Sequence, residues 1–320
     1  MQQETICITG GSGFVGQHLS YRLTRLGYRV RILTRRRERH RQLLVNPGVS
    51  LVEADVHNVD QLRQQFQGID VIINLVGILN EDGKQGSGFR RAHVELPEKI
   101  VFAAADCGVK RLLQMSALNA DAQEPNSLYL KSRGEGEDLV HAAAEQGMVV
   151  TSFRPSVIFG PGDSFFNRFA ALLKMAGPVF PLACPQSRFA PVCVTDVVEA
   201  ICRSIDDATG GERLQLCGPE TFTLDELVRY TRDQLQLNTR IVGLNDSLSR
   251  LQARVLGLLP GKPFTLDNYY SLQHDSVCSA NALPTLGITP TPVAAVVPAC
   301  LGGDNARGHY AEFRRQSRRY

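Results

Sequence analysis

The chain has 320 residues, 43% hydrophobic and 21% charged, with a formal net charge of +3 at pH 7. That length can bury one large core or two closely joined ones. So small a charge argues against a nucleic-acid partner, and no apolar run is long enough to suggest a signal peptide or a membrane span.

The first element is a β-branched run, Thr5 to Thr9, followed at once by Gly10, Gly13 and Gly16 and then by an amphipathic segment with Leu19, Leu23 and Leu26 on one helical face. A buried strand, a tight turn and a helix N-terminus stand in the order a dinucleotide pyrophosphate requires. Gly10 allows the turn, Gly13 lets the backbone approach the phosphates, and Gly16 lets the helix pack on the strand. The helix start adds unpaired N–H groups and the positive end of its dipole, and Gly27 ends the helix. Residues 28–34 alternate as a second strand, with Arg35, Arg36 and Arg37 at its end. About 20 residues after the last glycine, an NAD-specific fold carries an acid for the ribose hydroxyls. Thr34 and Arg35 stand there instead, and the first acid is Glu38. An arginine suits a 2′-phosphate, so NADP(H) is favoured, with NAD(H) as the alternative.

Residues 49–55 form the third strand, ending in Asp55, and residues 60–66 a helix closed by Gly68. Residues 70–77 are a nearly continuous apolar run, the pattern of a parallel strand buried on both faces. Residues 80–90, with Gly83, Gly86 and Gly88, read as a surface loop at the cofactor rim. A helix over 96–105, a strand over 111–116, a helix over 129–144 and a strand over 148–157 complete an alternation that predicts a doubly wound parallel sheet. Beyond it come a chain break at 159–163, an amphipathic helix over 165–175 and a short strand with a helix start over 191–196. Thr223 and Glu226 form a capping box. Residues 257–263 and 284–303 are rich in Gly and Pro. The expected organisation is a dinucleotide-binding domain over 1–155 and a smaller α/β domain over 156–304, built from non-consecutive segments that return to the sheet. A basic tail over 305–320 carries Arg307, Arg314, Arg315, Arg318 and Arg319; it is a solvated end or a contact for an anionic membrane or partner. The eight cysteines show no CxxC pair and no ligand spacing with His. They read as reduced thiols of a cytoplasmic protein, with no metal site.

Ligands of a doubly wound sheet bind beyond the C-terminal strand ends. Ser116, at a strand end, and Tyr129 and Arg133, an i, i+4 pair, are expected to gather there. His93 reads as a structural residue near the cleft. Asp163 serves the turn after Gly160 or meets a ligand, Arg168 is an exposed helix residue or a ligand contact, and Asp196 caps the helix that follows it.

The glycine pattern, Asp55, Ser116 and Tyr129 resemble the short-chain dehydrogenase/reductase superfamily. Arg154, Pro155 and Ser156, with Phe159, Gly160, Pro161, Gly162 and Asp163 and then Phe166, Asn167, Arg168 and Phe169, narrow the resemblance. They resemble its atypical, extended branch of NAD-dependent epimerase/dehydratase type. That branch includes the NAD(P)H-binding accessory subunit of respiratory complex I and its bacterial relatives. The resemblance spans nearly the whole chain and implies a Rossmann-type doubly wound parallel sheet. It implies that Thr9, Gly10, Gly11, Ser12, Gly13, Phe14, Val15 and Gly16 surround the pyrophosphate, and that Arg35 and Arg36 lie at the ribose phosphate. Asp55 and Val56 would face the adenine, and Leu75, Val76 and Gly77 would line the adenosine side. Tyr129, Arg133 and Pro155 would complete the cofactor set.

In active members a Ser orients the substrate carbonyl and a Tyr exchanges the proton as hydride moves. A Lys four residues after the Tyr binds the nicotinamide ribose. Ser116 and Tyr129 match, but the Lys position is Arg133. A guanidinium keeps its charge, yet it is larger and planar, so the change is not conservative. Lys131 points to roughly the opposite helix face. The expected function is NADP(H) binding with weak turnover, at a respiratory complex or in quinone-related metabolism. The expected location is cytoplasmic, or peripheral to the inner membrane through the tail. The alternative is an active NADPH-dependent reductase, or a nucleoside-diphosphate-sugar epimerase or dehydratase, using Tyr129 and Ser116 on an unidentified small-molecule substrate.

Overall fold

The computed structural model describes residues 4–81, 86–124, 126–259 and 261–301, so Gly83 and the basic tail lie outside the described residues. The first half runs β1 Thr5–Thr9, α1 Phe14–Arg25, β2 Arg29–Thr34, β3 Val49–Glu53, α2 Val59–Phe66, β4 Val71–Asn74, α3 Ser87–Arg90, α4 Leu96–Asp106, β5 Arg111–Met115, α5 Leu128–Ala142 and β6 Val149–Pro155. The second half runs β7 Ile158–Phe159, α6 Phe165–Met175, β8 Val179–Leu182, β9 Arg188–Phe189, β10 Val192–Cys193, α7 Val194–Arg203 and β11 Arg213–Leu216. It continues with β12 Phe222–Thr223, α8 Leu224–Gln234, β13 Arg240–Gly243, α9 Asp246–Leu256, α10 Leu266–Ser271 and α11 Val293–Leu301.

The main sheet has the order β3-β2-β1-β4-β5-β6, and β11 joins β6 as a seventh parallel strand. Successive side chains of a strand point to opposite faces, and β1 shows the consequence. Ile6 and Ile8 pack with Leu19 and Leu23 of α1 and Val197 and Ile201 of α7. Cys7 joins Leu62 and Phe66 of α2, Ile100 of α4 and Val140 of α5 on the other face. A third core, with Phe159, Phe166, Leu173, Leu224 and Val228, sits under the short strand pairs β7–β10, β9–β12 and β8–β13. The later segments thus build additional elements and return to the sheet.

Several expectations need correction. Leu26 is exposed, because α1 ends at Arg25 and the chain leaves the helix face there. The described part of 80–90 is not all loop. The Glu81 carboxylate accepts from the Gly86 and Gly88 N–H groups (2.8 and 3.0 Å) and seeds α3, which passes through a wide turn at Arg91–Glu95 into α4. The Gly- and Pro-rich stretch near the end contains α11, formed by the apolar run between its punctuating residues. Asp196 does not cap α7, whose N-cap is Cys193; its carboxylate instead accepts from the N–H and hydroxyl of Thr291 (2.7 and 2.9 Å). Cys217 and Cys278 are joined in a disulfide across 61 positions, so not all the thiols are reduced. Sequence spacing carried no sign of it, because the two meet only when residues 276–282 run back along β11.

One charged group lies deep beside the sheet. Glu137 of α5 is buried, and its carboxylate accepts from Nε and Nη2 of Arg154 on β6 (2.9 and 2.6 Å) and from the Ser152 hydroxyl. Removing one partner of such a pair strands the other. Glu137→Ala is therefore expected to lower the unfolding free energy by about 3 kcal/mol. Denaturant titration checks this, and a loss below about 1 kcal/mol would put the pair in the class of surface ion pairs.

Candidate active site

The ends of three central strands are aligned by register. Thr9 pairs with Asn74, and Asn74 with Gln114. The Thr9 hydroxyl donates to Asn74 Oδ1 (2.7 Å) and Asn74 Nδ2 donates to Gln114 Oε1 (2.9 Å), giving a buried polar floor across the strand ends. Asn74 Oδ1 also accepts from the Val76 N–H (3.2 Å), which shapes the exit of Leu75, Val76 and Gly77 from β4.

The glycine turn lies on this floor. Gly10 has φ +74°, and a Cβ there would stand 2.8 Å from the backbone of Leu75 and Val76, so conformation and space both demand glycine. The Gly13 N–H closes the turn on the Gly10 carbonyl (3.0 Å). Gly13 is the N-cap of α1, no side chain caps this end, and its first turn holds no acid. The amides of Phe14, Val15 and Gly16 therefore lack intrahelical acceptors and are free for an anion. Ser12 is half-buried beside them, and Gly11 packs against Ile8 and Ile32.

Across the cleft, Ser116 follows β5 directly, and its buried Oγ has no partner among the described residues. Arg133 of α5 is 8% exposed. Its Nη1 donates to the carbonyls of Met115 (3.0 Å) and Val76 (3.4 Å), while its buried Nε has no partner among the described residues. Among the described residues no carboxylate pairs with it. Its guanidinium carbon lies 5.7 Å from the centroid of the half-buried Tyr129 ring. It fills the space beside Gly77, where any Cβ would overlap the guanidinium. Lys131 is exposed, so it does not share this face.

His93 is more than a spacer. Its Nε2 accepts from the Ile78 N–H (3.1 Å), which leaves the ring proton on Nδ1 for the Ser132 hydroxyl (2.9 Å). That hydroxyl donates to the Tyr129 carbonyl (2.9 Å). Burial, with Arg133 adding, pushes the imidazole down to about 2, so His93 is a neutral brace between the β4 exit and the turn of α5 bearing Tyr129. The start of α5 is fastened from the second half. Asp267 Oδ1 accepts from the Leu128 N–H (2.6 Å), and Oδ2 accepts from the Tyr129 N–H (3.3 Å). Burial raises the Asp267 carboxyl, and these amides oppose the rise.

Beyond the ends of β2 and β3 lies a cleft of about 760 Å³ lined by Arg35 and Asp55 together with His57, Gln61, Asn80 and Arg91. Sequence reasoning placed Asn80 in the loop at the cofactor rim but missed His57, Gln61 and Arg91. His57 stood two places after Asp55 at a strand end, a usable signal, whereas Arg91 reaches the cleft only through the turn after α3. Burial lowers His57, with Arg91 and Lys99 adding, and its buried Nδ1 has no partner among the described residues. Arg36 is exposed and does not line this cleft, and Val56 is buried in the core beneath it. Pro155 ends β6, its carbonyl accepting from the Leu118 N–H (3.1 Å). Asp163 serves its turn and, from the position before the Ser164 N-cap, also accepts from the first turn of α6: its carboxylate accepts from the N–H groups of Gly160 (3.3 Å) and Phe166 (2.7 Å), and Arg168 donates to the Pro263 carbonyl.

Two measurements test this geometry. A His93 that stays neutral in the fold stabilises it fully above the unfolded value near 6.5; that stability is lost progressively as pH falls from there towards 2. Between pH 7 and 5 the chain is expected to lose about 2 kcal/mol more than a His93→Gln variant, and parallel stability curves would contradict it. Gly77→Ala is expected to be destabilising alone and relieved in an Arg133→Lys background. Denaturant unfolding of the four proteins in that cycle should give a coupling of about 1 kcal/mol or more, and additive losses would exclude the contact.

Comparison with known proteins places this geometry. The model of the NAD dependent epimerase/dehydratase family matches residues 6–217. Mitochondrial NADH dehydrogenase (ubiquinone) 1 alpha subcomplex subunit 9 of Mus musculus is 29% identical over 296 residues, covering 89% of this chain and 76% of that protein. Ceramide reductase of Caulobacter vibrioides is 30% identical over 247 residues, 75% of this chain and 74% of that protein. The crystal structure of DesIV, the dTDP-glucose 4,6-dehydratase of Streptomyces venezuelae with NAD bound, shares the fold with a TM-score of 0.74 at 20% identity, covering 93% of this chain and 95% of that one. With most of its length matched, a parallel Rossmann-type sheet and a glycine turn built for a pyrophosphate, the chain is a dinucleotide-binding member of the NAD dependent epimerase/dehydratase family.

Proposed function

We propose that the chain binds NADP(H) in preference to NAD(H) and reduces a carbonyl substrate slowly. One observation carries this reading. The buried side-chain polar atoms that lack partners among the described residues are His57 Nδ1, Asn80 Oδ1, Ser116 Oγ and Arg133 Nε. His57 and Asn80 line the cleft beside Asp55, and Ser116 and Arg133 lie beyond the ends of β4 and β5. Buried polar groups are normally satisfied, so two orphans in the cleft beside Asp55 and two at the ends of β4 and β5 favour a long polar ligand that reaches both places.

When bound, the reduced nicotinamide supplies the hydride. The amides at the start of α1 hold the pyrophosphate, Arg35 and Arg91 take the 2′-phosphate, and Arg133 holds the nicotinamide ribose. Ser116 donates a hydrogen bond to the substrate oxygen, and Tyr129 delivers the proton that this oxygen needs as the carbonyl carbon gains hydride. Turnover is slow because the Arg133 guanidinium is tied to two carbonyls and cannot move as a lysine ammonium does. The ceramide reductase relative favours a ketone on a long chain as the substrate class. The domain over 156–304 would supply its side of the pocket. The likeness to the mouse subunit favours a second role, as a dinucleotide-loaded component of a respiratory assembly. Among the described residues no helix is long and apolar enough to cross a membrane, so such a role would be peripheral.

Calorimetry should give NADPH a lead over NADH that Arg35→Ala reduces by about tenfold, the size of one charge-assisted contact. With ketone and quinone acceptors, Tyr129→Phe should lower turnover about a hundredfold without changing cofactor affinity. Arg133→Lys should raise turnover. Equal affinities remove the NADPH assignment, and no turnover with any acceptor selects the assembly role.

A further inference from the structure

Helix α9 is oddly dressed for one that only covers its own domain. Its buried residues are small, Ser249 and Ala253, and Gln252 is tied to the Pro181 carbonyl (3.0 Å). Leu248, Leu251 and Val255 are about half exposed, and the stripe continues past the helix end to Leu259 and to Leu258, which is 88% exposed. Steps of three and four residues keep these side chains on one face, along about 16 Å. Arg250 and Arg254, both exposed and four apart, border the stripe; among the described residues neither is ion-paired. The one acid of α9, Asp246, is engaged by the Tyr269 hydroxyl (2.5 Å). The same stretch then reaches the cleft rim, where Lys262 Nζ donates to the Glu81 carbonyl (2.6 Å) and Asn80 Nδ2 to the Lys262 carbonyl (3.1 Å).

We propose that α9, with Leu258 and Leu259, docks on a lipid bilayer that carries anionic headgroups. The leucines and Val255 enter the acyl boundary, and Arg250 and Arg254 meet the phosphates. An apolar stripe edged by unpaired cations is the pattern of a helix lying in a membrane interface. A second copy of the chain is a poorer occupant. A two-fold contact would bring the arginines of both copies to one interface, where the one acid of α9 is already engaged. The proposal does not depend on turnover at the cleft.

Vesicle flotation of the full chain tests it. The chain should float with phosphatidylcholine vesicles containing about one third phosphatidylglycerol, and far less with phosphatidylcholine alone. Leu251→Glu with Val255→Glu, and separately Arg250→Glu with Arg254→Glu, should each weaken binding at least about tenfold while leaving the unfolding midpoint unchanged. Leu258→Glu, at the most exposed position, repeats the test outside the helix. Failure to float on anionic vesicles, or variants that float as well as the original chain, would overturn the proposal. So would a dimer that sedimentation shows dissociating in the leucine variants with flotation unaltered, which would assign the stripe to a second copy.

Discussion

A buried guanidinium with no counter-ion among the described residues governs the arrangement of this cleft. Arg133 ties the carbonyl of Val76, beyond β4, to that of Met115, at the end of β5, and it does so from α5. Three elements distant in sequence are thereby pinned at one point. Among the described residues the hydrogen-bond acceptors of Arg133 are backbone carbonyls, which offset little of its desolvation cost, and its Nε, without a partner among them, leaves a direction for a further acceptor. The neighbouring groups are arranged to suit it. Gly77 yields the space, His93 stays neutral beside it, and the Tyr129 ring lies at its side.

The second half of the chain is a fastening for that point as well as a wall. Asp267 accepts from the first amides of α5, Ser271 meets Ser127 (2.8 Å), and Asn268 donates to the Leu79 carbonyl (3.3 Å). Residues 262–271 thus touch both banks of the cleft, the β4 exit on one side and the Tyr129 helix on the other. A displacement of this segment would loosen Tyr129 through its backbone, without any change in the side chain.

The sheet and the glycine turn were legible because their causes are local. A β-branched run, glycines at fixed spacing and a 3.6-residue apolar period each act within a few residues. The nearness of Arg133 to Tyr129 was legible because one helical turn separates them on one face of α5. The brace through His93, the fastening by Asp267 and the clustering of His57 and Arg91 were not, since each depends on segments that meet only in the folded chain. Asp196 shows the same limit. A carboxylate near a helix start looks like a cap, and nothing nearby in sequence announces Thr291 as its partner. The disulfide is a further case, with 61 positions between its cysteines.

The engagement of Asp196 with Thr291, and of Arg203 with the carbonyls of Leu286 and Gly287 (2.6 and 3.1 Å), sets an order on synthesis. The nucleotide-facing strands emerge first from a ribosome, but α7, which covers one face of them, is anchored by residues some ninety positions later. Until those positions appear, the apolar face of α7 has an incomplete seat and the nascent sheet an uncovered side. Such long-range closure slows folding and prolongs exposure of apolar surface.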